Sequence, residues 1–129
     1  MIQPLLIVSF MVIALMHAIT LQAQEKTTYM RIAKITVDST QLDEYKVALK
    51  EQMQAAIKQE KGVLAYSAVQ DKLKPYKITI LETYASTEAY QAHIQTAHFK
   101  KYKATVEHMV KELELIDVIP IAIQSNQKK

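Results

Sequence analysis

Hydrophobic and polar positions change period several times along the chain, and each change marks an element. Over Tyr29–Val37 the alternation is two-residue: Met30, Ile32, Lys34 and Thr36 share one face, Ala33, Ile35 and Val37 the other, which predicts a first strand. Asp38-Ser39-Thr40 then signals a helix start, with Thr40 and Asp43 spaced as a capping box. Leu42, Tyr45, Leu49, Met53 and Ala56 or Ile57 recur at three- and four-residue spacing, one apolar stripe of a long helix. The helix should end before Gly62, the only glycine, read as a left-handed C-terminal cap. Val63–Val69 reads as a second strand and Tyr76–Tyr84 as a third, separated by a polar turn at Asp71–Pro75. In the third strand Tyr76, Ile78, Ile80, Glu82 and Tyr84 point one way. Ser86 caps a short helix reaching His93 or Ile94. Thr96 caps a further helix with the stripe Phe99, Tyr102, Val106, Met109 or Val110, and Leu113. Leu115–Ile123 is expected as a last strand interrupted by Pro120, and residues 124–129 as a polar tail.

The order β-α-β-β-α-β predicts an α+β, ferredoxin-like domain over residues 27–123, with an antiparallel four-stranded sheet and helices on one face. Strands one, two and four carry apolar residues on both faces. A second copy of the chain would bury the face the helices leave open, so a homodimer with packed sheets is expected.

Residues 1–23 differ from the rest. They contain no Lys, Arg, Asp or Glu, and their apolar run ends in a more polar stretch with Ala23 before the cut. This reads as a signal peptide, which places the domain in the periplasm or outside the cell. The alternative is a retained N-terminal membrane anchor, the one route to a membrane partner. The net charge of +3 is scattered among acids with no basic stripe, so no nucleic-acid partner is expected. The absence of cysteine excludes thiol chemistry and Cys-based metal centres, and a single glycine excludes a phosphate-cradling loop.

Candidate chemistry concentrates in residues 82–99. Glu82 shares a strand face with apolar groups, where desolvation would raise its pKa and fit it as a base; a paired or capping carboxylate is the other reading. His93 and His98 are five residues apart and miss the i, i+4 spacing of two metal ligands on one helix face, so no metal site is expected. Each either relays a proton beside a bound ring or is simply hydrogen-bonded. Tyr66, Tyr84, Tyr90 and Phe99 are core aromatics or the walls of a pocket.

The segments Gly62–Tyr66, Ile78–Ser86, Glu88–His93 and Thr96–Phe99 together resemble the antibiotic biosynthesis monooxygenase family, above all its small quinol-monooxygenase-like members. The resemblance spans residues 29–120. It implies a dimeric α+β barrel with a cavity between helices and sheet. It further implies oxidation of a quinol-like or phenolic aromatic by molecular oxygen without metal, flavin or other cofactor. On that analogy His93, His98 and Glu82 are catalytic, and Tyr66, Tyr84, Tyr90 and Phe99 bind substrate. The haem-degrading branch is not matched: Tyr84 stands where it has Trp, a position near Lys103 where it has His, and the first strand lacks its Asn. The alternative function is a non-catalytic dimeric binding protein holding a small hydrophobic ligand in the same cavity.

Overall fold

A computed structural model describes residues 27–126. The expected signal peptide over residues 1–23 and the last three residues of the expected tail lie outside the described residues. The elements are β1 (Tyr29–Val37), α1 (Leu42–Gln59), β2 (Val63–Gln70), β3 (Lys77–Tyr84), α2 (Thr87–His93), α3 (Ala97–Val106) and β4 (Val110–Val118). The four strands form one antiparallel sheet in the order β2-β3-β1-β4. This is the ferredoxin-like α+β arrangement, with its second helical crossover broken into α2 and α3.

The inward face of the sheet follows from strand parity. Ala33, Ile35 and Val37 of β1 and Ile78 and Ile80 of β3 pack against Tyr45 and Leu49 of α1, with Val106 and Met109 closing the far side. One row across this face is polar. Asp117 pairs with Arg31, Arg31 with Glu82, and Glu82 with Tyr66, so four chemistry-bearing side chains lie side by side over four strands. The opposite face carries Lys34, Thr79 and Glu114 among Ile32, Leu81 and Val69, and the helices do not reach it.

Local details depart from the sequence expectations in four places. The helix start is capped by Asp38, whose carboxylate accepts from the Thr40 amide at 3.0 Å and opens a 3-10 turn before α1; Thr40 and Asp43 form no capping box. Gly62 is not needed for a left-handed cap. A Cβ there would lie 2.7 Å from the Ala89 Cβ, so the glycine lets α2 cross the β2 entry closely. Ile57 is exposed and Gln52 is buried, which moves the inner stripe of α1 to Tyr45, Leu49, Gln52 and Ala56.

The largest difference is at the C-terminal end. The helix stops at Val106 and β4 begins at Val110, five residues before the expected start, and it ends before Pro120. The three- and four-residue spacing of Val106, Met109 and Leu113 mimics a helix. Yet Leu113 and Leu115 between Glu112, Glu114 and Ile116 alternate as a strand does, and β1 offers a partner edge that holds them there. Met109 is buried in the turn, where its carbonyl accepts from the Asp38 amide at 2.8 Å.

Candidate functional site

A cavity of about 300 Å³ lies between the sheet and the helices. Arg31, Glu82, Tyr84 and Tyr66 form its polar floor; Phe99, Tyr102 and Tyr90 stand on the helix side, and Lys103 and Glu107 lie at the rim beside Leu113 and Leu115. That volume suits a small aromatic molecule, and the lining is mostly apolar and aromatic with a few convergent polar groups.

Glu82 is carried into the cavity by the parity of β3. Its carboxyl is held above the ordinary carboxylate range because burial penalises the charged form; the Tyr84 hydroxyl and the Arg31 charge oppose this without cancelling it. Arg31 sits in the neighbouring register position on β1. Its Nε and Nη2 donate to Asp117 Oδ1 at 2.9 and 2.8 Å, and Nη1 donates to Tyr90 Oη at 2.6 Å. The guanidinium also lies 4.5 Å from the Tyr90 ring centroid. These contacts fix a positive charge on the cavity wall beside the half-buried Glu82 carboxyl.

Behind that wall runs a connected polar cluster. Tyr84 Oη lies 3.1 Å from Glu82 Oε2 and 2.7 Å from Tyr66 Oη. Tyr66 Oη lies 2.8 Å from His93 Nε2, which Gln52 Nε2 also approaches at 3.1 Å. His93 Nδ1 is 2.9 Å from Glu60 Oε2, and His98 Nε2 reaches the same oxygen at 2.6 Å. Burial lowers the His93 pKa, more than the Glu60 carboxylate raises it, and burial likewise pushes the Tyr66 and Tyr84 hydroxyls up. The chain positions each member locally. Ser86 caps α2 through the Ala89 amide, the Thr96 hydroxyl donates to the His93 carbonyl at 2.7 Å, and Thr96 caps α3 through the Phe99 amide. The turn between α2 and α3 thereby sets both histidines toward Glu60.

Of the residues singled out in the sequence, Glu82, Tyr66, Tyr84, Tyr90 and Phe99 line the cavity together. His93 does not line it. It is buried behind Tyr66 and Tyr84, with its ring centroid 4.9 Å from that of Phe99. His98 lies farther out, in the groove between α1 and α3. The group that joins the histidines is Glu60, at the end of α1, and not Glu82. The donor atoms of Glu60, His93 and His98 lie within 4.8 Å of one another, but they are bonded to each other: one carboxylate oxygen spans two imidazoles.

Sequence reasoning missed Arg31, Gln52 and Glu60. Arg31 shares the parity of Ala33 and Ile35, the same rule that singled out Glu82. Gln52 is a polar residue on the stripe of Tyr45, Leu49 and Ala56. Glu60 had no local signal, because only the fold brings it to residues more than thirty positions away.

The fold and the site therefore define a small α+β domain with an aromatic-lined cavity between sheet and helices. The antibiotic biosynthesis monooxygenase family model matches residues 28–105, and the chain belongs to that family. A solved structure from Bacteroides thetaiotaomicron, named as a candidate antibiotic biosynthesis monooxygenase, is 41% identical with a TM-score of 0.76, covering 81% of this chain and 99% of that one. A second, from Nitrosomonas europaea and similarly named, is 21% identical with a TM-score of 0.70, covering 74% and 92%, and shows the fold alone. A third, also from Bacteroides thetaiotaomicron and described as a possible oxidoreductase of unknown function, is 24% identical with a TM-score of 0.65, covering 72% and 99%. A search of curated proteins finds no match.

Proposed function

We propose that the protein is a cofactor-independent monooxygenase that oxidises a quinol-like or phenolic aromatic with molecular oxygen. The observation that carries this reading is a half-buried, base-competent carboxyl, Glu82, beside a fixed guanidinium, Arg31, on the floor of an aromatic cavity. Glu82 takes the phenolic proton. Arg31 stabilises the resulting anion, and the apolar walls keep water from it. The electron-rich anion then supplies all the electrons: a hydroquinone and dioxygen give a hydroxyquinone and water. Tyr90, Phe99 and Tyr102 hold the ring. His93 and His98 act through the hydrogen-bonded cluster behind the floor and do not touch the ring.

Two further features belong to this reading. The sheet face that the helices leave open, with Ile32, Leu81 and Val69, supports a homodimer with packed sheets. The uncharged, apolar residues 1–23 support export, with the anchored form as the alternative; the intact mass of the exported protein separates the two.

The test is oxygen uptake under air, with a metal chelator present, over a panel of hydroquinones. Wild type is expected to consume oxygen with at least one member, and Glu82→Gln to lower kcat by roughly 10²–10⁴-fold. Binding of the panel without uptake would instead identify a non-catalytic hydrophobic-ligand protein.

A further inference from the structure

Resting on the deprotonating role given to Glu82, we propose that Glu82, Tyr84, Tyr66, His93, Glu60 and His98 form one proton path. It leads from the cavity floor to the groove between α1 and α3. The successive contacts are 3.1, 2.7, 2.8, 2.9 and 2.6 Å, with no gap. Its two ends open on different places: Glu82 lines the cavity, and His98 lines the groove with Glu44, Glu51 and Lys101.

Counting hydrogens gives this row two arrangements, and conduction is the passage from one to the other. Three contacts link Glu82, Tyr84, Tyr66 and His93, but the two hydroxyls have only two hydrogens. The third hydrogen must come from an end. If Glu82 is protonated, it donates to Tyr84, Tyr84 to Tyr66, and Tyr66 to a bare His93 Nε2. If His93 Nε2 is protonated, every bond reverses and Glu82 is a carboxylate. The two arrangements differ by one proton moved across the whole row. Gln52 serves both, since its amide nitrogen donates to bare Nε2 and its amide oxygen, after rotation, accepts from Nε2–H. Among the described residues no buried side-chain polar atom is left without a partner.

Transfer balances at each step. The substrate O–H bond breaks as the Glu82 O–H bond forms, and the electron pair stays on the phenolate. The carboxyl proton passes to Tyr84, the Tyr84 proton to Tyr66, and the Tyr66 proton to His93 Nε2. The Nδ1 proton leaves to Glu60 and on to His98 and water. Rotation of the two hydroxyls, together with exchange of the His93 proton from Nε2 to Nδ1, resets the row with Glu82 as carboxylate and Nε2 bare. The charges facing its two ends are Arg31 from β1, Lys103 from α3 and Glu107 from the turn after it at the cavity, and Glu44 and Glu51 from α1 and Lys101 from α3 at the groove. Glu60 and His98 never touch substrate; they are positioning and relay groups.

Two experiments on the full chain test the path. The first needs no turnover: ring-nitrogen NMR follows the titration of His93 in wild type, Glu82→Gln, Tyr66→Phe and the double variant. Removing the carboxylate is expected to lower the His93 midpoint by roughly 0.5 in pH, and the effect is expected to vanish in the Tyr66→Phe background. An unchanged midpoint in Glu82→Gln overturns the path whatever the enzyme does. The second uses 4-nitrophenol as probe. Its absorbance reports ionisation in the cavity, and a pH dye reports release to solvent. Glu60→Gln, or His98→Gln if the first variant folds poorly, is expected to leave affinity and ionisation as in wild type and to slow proton release about tenfold. Release at the wild-type rate would send the proton out through the cavity mouth and contradict the path. Failure of wild type to ionise the probe counts against the role given to Glu82, while the His93 titration still decides the path.

Discussion

At the scale of single residues, burial decides how charge is held. Burial holds the Glu82 carboxyl above its ordinary value of 4.5, so its base form grows as pH rises through that raised value. The kcat/KM profile of an active substrate is therefore expected to rise from the acid side with a midpoint above 4.5, and to lose that limb in Glu82→Gln. His93 gives the opposite linkage. Its folded pKa lies below 6.5, so the unfolded chain binds the proton more tightly. Its contribution to stability is full above 6.5 and is lost as pH falls through the folded value. Urea unfolding at about pH 7.5 and about pH 5.5 is expected to show this decline, and His93→Gln to remove it. Gly62 answers to space alone. Gly62→Ala drives a methyl group into Ala89 and is expected to cost about 1–3 kcal/mol, with Ala89→Gly relieving it, both read by denaturant midpoints.

At the scale of elements, strand parity carried most of what was legible. It grouped Ala33 with Ile35, and Ile78 and Ile80 with Glu82 and Tyr84, and the structure turns both groups inward. The caps Ser86 and Thr96 marked both short helices because each side chain accepts a local amide that nothing else would satisfy. The misread strand shows the limit. Met109 and Leu113 fit a helical stripe as well as a strand, and pairing with β1, a partner nearly eighty residues away, decides between them. Glu60 was hidden for the same reason: its partners are set by how the end of α1 meets the α2–α3 turn. The packing of α1 on the sheet depends on its buried stripe. Leu49→Ala is expected to destabilise by about 2–5 kcal/mol in denaturant unfolding, since it removes a core side chain that also walls the cavity.

At the scale of the whole molecule, one face of the sheet makes the core and the cavity, and the other is left with apolar groups outward. Light scattering at micromolar concentration is expected to give the mass of two chains, and Leu81→Glu to shift it to one; a monomeric wild type would count against sheet packing. On the proposed reading, a half-buried carboxyl, a fixed guanidinium and an aromatic cavity are enough to let a phenolic substrate react with oxygen directly. Heavy-isotope dioxygen tests it most directly, with a hydroquinone that supports uptake and a chelator present. One heavy oxygen atom in each product molecule and the other in water is the expected result. A product without heavy oxygen, or the same labelling from Glu82→Gln at the wild-type rate, would contradict the account.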